Sequence, residues 1–429
     1  MMDQKILRQE RKSYVVFLVL LIYFVISLLT NILGPIIPEI IRSFSLSLTA
    51  AALLPFAFFI AYGLTSIPAG ILIEAYSEKT IILSSFLMSF CGALAFAILT
   101  RYSVAIVSLF IIGIGMAMLQ VALNPLLRVA AGEEHFAFNS TLVQLVFGSA
   151  SFLSPHLYTY LVNNLGRPDV NNILLEALRR VVPPTLPWIS LYWIFAGVSL
   201  IMILIIGVSR LPKVERIAEE QAGSWTTHLK LFRSPVVLLF FASTFFYVGS
   251  EQGTANWMSQ FLATYHHFDP RTVGANAVSW FWGLMTIGCL LGLLLLKLFD
   301  SRKVLIVTSG AALLLLSLAL FGSARVSVIA FPGIGLFASM MWPIIISLGL
   351  NSVAEHHGTV SGILCTGIAG GAVVPLLIGQ IGDHWGLRAG MTFLYISFGW
   401  VFGIGFWAKP LISNRKFGEL NPSPSQQPG

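Results

Sequence analysis

The chain is expected to be an all-α membrane protein of twelve transmembrane helices arranged as two six-helix bundles. Three observations lead there. Its 429 residues are 56% hydrophobic and 10% charged, with mean hydropathy +0.85, whereas a soluble domain carries about 25% charged residues. Twelve apolar stretches each approach or exceed the roughly 20 residues that a spanning helix needs. Residues in the two halves repeat at one offset, as parallel repeats do in transporters built from two equivalent bundles.

The stretches are 14–37, 50–73, 80–99, 103–127, 139–162, 188–209, 235–264, 273–297, 303–322, 326–350, 358–381 and 389–410. The basic start (Lys5, Arg8, Arg11, Lys12) runs straight into the first stretch with no small-residue cleavage site, as in a retained first helix. An even number of spans puts both termini on one side. With that side cytoplasmic, eight arginines (42, 101, 167, 179, 180, 271, 325 and 388) fall outside and the rest of the 25 Lys and Arg fall inside. That is the orientation the positive-inside rule selects, in an inner or cell membrane. The net charge of +7 then belongs to loops and implies no nucleic-acid partner. Cys91, Cys289 and Cys365 sit in apolar segments without metal-like spacing. They suggest neither a disulfide framework nor a metal site, and no cofactor motif appears.

The domains follow: a cytoplasmic N-terminus 1–13, bundles 14–209 and 235–410, a cytoplasmic linker 210–234 and a cytoplasmic tail 411–429. In the external connection 163–187, Asn172–Val182 reads as a short amphipathic helix at the interface, closed by Pro183-Pro184. The repeat is clearest between the fifth and eleventh spans. Pro155, Thr159, Asn163 and Gly166 answer to Pro375, Gly379, Asp383 and Gly386. The same offset of 220 pairs Asn31 with Glu251, each near the middle of the first span of its half.

Glu251 is the acidic residue, among 18, that lies deep inside an apolar segment. A carboxylate at bilayer depth costs about 2.5–3.5 kcal/mol on insertion scales and normally faces a bundle interior or an aqueous cavity. Either it works there, or neighbouring helices tie it down by hydrogen bonds.

Several motifs sharpen this picture. Gly70, Glu74 and Lys79 fit the loop pattern G-x3-D-R-x-G-R-R of the major facilitators, though Ala75 and Ser77 depart from it. Leu119-Gln120-Val121-Ala122-Leu123-Asn124-Pro125 resembles the L-[EQ]-x-A-x-N-P segment of the fucose–galactose–glucose symporters, the fucose permease-like branch of that superfamily. Tyr247-Val248-Gly249-Ser250-Glu251 is similar to that branch's Y-V-G-x-[EQ]. Pro343–Gly349 resembles its P-T-I-F-S-L, and Gly370–Pro375 with Gly379 and Asp383 its G-G-A-I-V-P…G…D. The resemblance implies the major facilitator fold, alternating access and a monosaccharide substrate taken up with a coupling ion.

The chain also departs from the branch. Its proton-coupled members carry Asp where this chain has Asn31, and the fucose permease carries Glu at Gln120 and Gln at Glu251. Both N-terminal acids are thus amides, which cannot titrate. The coupling carboxylate is expected to have moved to Glu251, with a proton or sodium as the ion; uncoupled transport stays open. Asn31, Gln120, Asn124 and Gln144 could face the polar residues of the seventh span, Tyr247, Gln252 and Asn256. Each amide could equally join two helices. Asn124, beside Pro125, could serve the backbone at that break. Trp257, Trp282 and Trp342 are the preferred stacking platforms, with Trp280 a further candidate; interfacial anchoring is the competing role. The rival functions are an exporter of amphiphilic drugs or lipids on the same fold and a sensor without turnover. An enzyme is not expected. The partners expected are a small-molecule substrate, its ion and membrane lipids, around a monomer.

Overall fold

The structure, a computed structural model, describes residues 2–132, 136–167, 169–170, 172–212, 231–353 and 357–410. The side chains of 2–12, 74, 75, 124, 136, 137, 357 and 358 fall outside that description, and so does most of the expected linker 210–234. Eleven segments, from Ser13–Phe44 to Leu387–Trp407, are long and apolar enough to cross a membrane. The 29-residue helix Phe136–Asn164 takes the remaining place, fifth in chain order.

The first half comprises α1 (Met2–Thr30), α2 (Leu33–Phe44), α3 (Leu48–Ala75), α4 (Glu78–Ile98), α5 (Tyr102–Ala131), α6 (Phe136–Asn164), α7 (Ile173–Val181) and α8 (Ser190–Val208). The second comprises α9 (Pro235–His266), α10 (Ala275–Leu298), α11 (Ser301–Phe321), α12 (Ala324–Ala338), α13 (Met341–Leu350), α14 (His357–Thr366), α15 (Gly370–Trp385), α16 (Leu387–Met391) and α17 (Phe393–Trp407). The first span extends past its expected end at 37, because Pro38 sits inside α2 without ending it.

Short polar turns join the spans and cap the helices that follow. Ser47 accepts from the Ala50 amide, Ser77 from Thr80 and Asp300 from Arg302; each satisfies a donor that the first turn of a helix leaves open. The expected amphipathic helix is α7. Asn172 caps it through the Leu174 amide, Leu175 and Leu178 are buried, and Ile173 is 89% exposed. Lys79, from the loop motif, donates to the Gly207 and Ser209 carbonyls at the end of α8, where a cation suits both the open carbonyls and the helix dipole.

Among the described residues, the first and tenth spans part four residues before a proline, and the eleventh passes through a 3-10 turn at Gly367–Ala369. Proline lacks the donor that would serve the carbonyl four residues earlier. Pro35 thereby frees the Asn31 carbonyl, and the chain turns at Asn31-Ile32 between α1 and α2. Pro343 frees that of Ser339, and the chain turns at Ser339-Met340 between α12 and α13.

Two hydrophobic cores result. One gathers buried residues from Val15 to Ile206, the other residues from Val237 to Ala408; Ile37, Ala51 and Ala52 cross into the second, Ala275 and Ala372 into the first. The seam between them packs α3 against α15, α6 against α10 and α2 against α9. At the face away from the chain termini, here called distal, this seam is tightly closed. Arg271 donates to Glu39 through Nε (2.8 Å) and Nη2 (3.0 Å). Asp383 accepts from the Leu48 and Thr49 amides at 2.7 and 2.9 Å. Thr159 donates to the Arg271 carbonyl, and Ser279 bonds to Phe152 and His156. A Cβ on Gly34 would lie 2.3 Å from the Ala255 carbonyl oxygen, so α2 and α9 touch backbone to backbone. Toward the termini the same seam loosens. On α3 and α14, Gly70 and Gly362 have open space where a Cβ would stand, and Leu64 is 65% exposed.

Candidate functional site

α9 starts with Pro235 in its first turn and runs 32 residues without a break. With 3.6 residues per turn, the four-residue spacing of Tyr247, Glu251 and Ala255 keeps them on one face. The Glu251 carboxylate is half-buried. Tyr247 donates its hydroxyl to Oε2 at 2.7 Å, and Gln252 donates Nε2 to Oε1 at 3.1 Å. Each carboxylate oxygen therefore has one donor. Tyr247 in turn packs on Trp342 of α13, with centroids 6.0 Å apart and planes at 43°.

The opposing helix is organised around the same crossing. Ala255 touches Gly34, Glu251 lies one turn from Ala255 toward the termini, and Asn31 lies one turn from Gly34 in the same direction. Asn31 is buried at the helix break and donates Nδ2 to Ser151 at 2.7 Å; Ser27 and Ser151 are 2.6 Å apart. This is the helix-joining role for one end of the amide. The other end, Oδ1, is buried without a partner among the described residues. On α10, Val278 also reaches the Gly34 position, and Trp282 follows one turn later. Trp282 is 4% exposed and its Nε1 is buried without a partner among the described residues.

Buried polar atoms are nearly always hydrogen-bonded. Here one orphaned acceptor and one orphaned donor lie beneath one crossing, beside a carboxylate with both oxygens occupied. A hydroxyl both donates and accepts, so this set suits a polyhydroxylated ligand.

Residues 19–375 match the family described as Major Facilitator Superfamily. The chain belongs to that superfamily. It is 27% identical over 406 residues to a glucose/galactose transporter of Brucella abortus (strain 2308), covering 92% of this chain and 93% of that protein. Against an L-fucose-proton symporter of Escherichia coli (strain K12) it is 26% identical over 400 residues, or 88% and 89% of the two chains. The fold superposes on the major facilitator transporter FucP in its outward conformation with TM-score 0.66 at 22% identity, over 92% and 98% of the chains. A bacterial homologue of the human lysosomal transporter Spinster, inward-facing and unoccupied, gives 0.73 at 16% identity over 92% and 97%.

Within this major facilitator fold the other residues singled out by sequence are placed differently. Asn256, next to Ala255, is buried with Nδ2 unpartnered. Gln144 is exposed on α6, one turn termini-ward of Gly148, whose Cβ position is filled by Thr286 of α10. It therefore lies on the seam face where the bundles part. Gln120 is half-buried on α5. The Asn124 side chain lies outside the described residues, although α5 continues through Asn124-Pro125. Trp257 is not brought into the group. It is fully buried, and its Nε1 donates to the Pro375 carbonyl at 3.0 Å. Two residues beyond Ala255, it points roughly 200° away, into the packing of α9 on α15, and cannot stack a ligand.

Sequence reasoning missed the distal closure. Glu39 was a segment-end acid and Arg271 an external charge, 232 residues apart, and no local pattern links them. The Ser27–Ser151 pair was equally silent, since serines are common on helix interfaces.

Proposed function

We propose that this chain carries a hexose-type monosaccharide across the cell membrane by alternating access, in symport with a proton that Glu251 loads and releases. The bundles 14–209 and 235–410 rock against each other as a monomer, with both termini cytoplasmic, and the distal closure then corresponds to the inward-open state. The names of the two relatives above, which cover about nine-tenths of the chain, support a sugar and a proton as the co-transported pair.

The observation that carries the reading is the Glu251 carboxylate, half-buried at the bundle crossing with Tyr247 and Gln252 on its oxygens. Ionised, both oxygens accept. Protonated, one becomes a donor; when it donates to the Tyr247 oxygen, the phenol proton is released toward a ligand. Loading the proton thus creates a donor for a sugar hydroxyl, and binding of each favours the other. Asn31 Oδ1 and Trp282 Nε1 supply the complementary acceptor and donor.

The test is uptake of labelled fucose, galactose and glucose into proteoliposomes under an imposed proton gradient. Wild type accumulates at least one of them; Glu251→Gln loses accumulation but still equilibrates the sugar. Proton-driven accumulation that survives in the variant removes Glu251 from the mechanism. Accumulation driven by sodium alone replaces the ion, and efflux of hydrophobic dyes without sugar flux replaces the substrate class.

A further inference from the structure

On the flank of the α6–α10 seam two cavities meet. The first, about 490 Å³, is lined by His156, Thr159, Asn163 and Asn164 of α6 and by Thr272 and Asn276 at the start of the eighth span. The second, about 440 Å³, shares Val273 and Asn276 with it and is otherwise apolar, walled by Trp280, Leu284, Val328, Ile329 and Pro332. Polarity thus falls with depth. Asn163 and Asn164 end their helix at the distal face, while Leu284 lies eight residues beyond Asn276, about 12 Å deeper. That is most of one leaflet, since the hydrocarbon core is about 30 Å thick. Trp280 is 45% and Ile329 73% exposed, so the lower cavity opens sideways.

The repeat explains why the opening is on this seam. At the equivalent place on the other seam, Asp383 reaches across and accepts two amides at the start of α3. The offset of 220 puts Asn163 where Asp383 stands. Asn163 is exposed and neutral, and a cavity takes the place of the latch. Among the described residues no carboxylate lines this cavity, and Asp269 accepts from Thr272 beside it. Arg179 donates to the Asn164 carbonyl at the end of α6.

We propose that this pair of cavities is a specific site for one glycerophospholipid of the distal leaflet. Its phosphate and glycerol oxygens accept from the side-chain amides of Asn163 and Asn276, between α6 and α10. One acyl chain lies along Trp280, Leu284 and Ile329. A lipid so placed bridges the two bundles at the side of the closed seam. The site is independent of the sugar reading, because its occupancy is measured without transport.

The experiment is photo-crosslinking of the full chain, reconstituted in phosphatidylethanolamine–phosphatidylglycerol vesicles that contain a phospholipid with a photoactivatable acyl chain, followed by peptide mapping. Adducts concentrated on the peptides containing Trp280–Leu284 and Val328–Pro332 are expected. Native mass spectrometry of detergent-purified protein titrated with phosphatidylglycerol gives the second measurement. Asn163→Ala with Asn276→Ala is expected to weaken the retained lipid about tenfold, for loss of two hydrogen bonds partly replaced by water. Adducts spread evenly around the lipid-facing helices, retention unchanged in the double variant, or displacement of the lipid by soluble hexose would each overturn the site. The wild-type mapping decides the matter even if the variants fold poorly.

Discussion

Trp257 and Trp282 stand 25 positions apart in sequence and look alike there, yet the structure separates them by what their indole N–H groups do. That of Trp257 is bonded to the Pro375 carbonyl; that of Trp282 is buried and free. Trp257→Phe should therefore destabilise the fold by about 1 kcal/mol, for one lost hydrogen bond, because the helical bond within α15 still serves the Pro375 carbonyl. It should leave sugar affinity untouched. Trp282→Phe strands nothing in the empty protein. Its thermal midpoint should stay near wild type, while sugar binding weakens about fivefold for one lost hydrogen bond. Thermal denaturation in detergent and binding calorimetry read the two effects separately, and equal losses of stability would remove Trp282 from the site. The contrast shows what is legible at this scale. Glu251 stands out because a charge inside an apolar run has few explanations. An indole is compatible with core, interface and ligand alike, and only the helix face on which it falls chooses among them.

Among the helices, the span positions were readable because twenty-odd apolar residues have one use in a bilayer. Their breaks were less so. α5, α6 and α12 run on through Pro125, Pro155 and Pro332, whereas the chain turns four residues before Pro35 and Pro343. Proline frees a carbonyl in every case; neighbouring helices decide whether the helix parts there. The distal closure is likewise a matter of elements meeting. Glu39 is 4% exposed and holds the partly exposed Arg271 with two bonds. Removing one partner of a buried pair costs about 3–5 kcal/mol. With the arginine half in solvent, about 2 kcal/mol is expected for Glu39→Gln or Arg271→Gln, charged to the distal-closed state alone. Asp383→Asn should act in the same direction by about 1 kcal/mol, through a weakened cap on α3. Each variant should raise labelling by a membrane-impermeant maleimide of a cysteine placed at Thr49. The reversed pair, Glu39→Arg with Arg271→Glu, should lower it again. Labelling indifferent to all four variants would mean that these contacts do not hold the seam shut.

For the molecule as a whole, the two halves can approach at the distal face only because glycine stands at the crossing. A methyl group on Gly34 would sit 2.3 Å from the Ala255 carbonyl oxygen, a contact that backbone cannot relieve by rotating a side chain. Overpacking of this kind costs about 1–3 kcal/mol, and it falls on one conformation: once the bundles rock apart, the same methyl faces the gap. Gly34→Ala should therefore shift the population toward the distal-open state by roughly fivefold to a hundredfold, without unfolding either bundle. Spin labels at Arg101 and Arg325, both exposed at distal turns of opposite halves, report the separation directly. Their distance distribution should lengthen in Gly34→Ala and stay as in wild type in Gly70→Ala, where the added carbon meets open space. Transport should fall in the first variant and persist in the second. An unchanged distance in Gly34→Ala, with transport intact, would show that the crossing opens by a different motion than rocking about the Asn31–Glu251 level. The carboxylate would then lie beside the moving seam rather than in it.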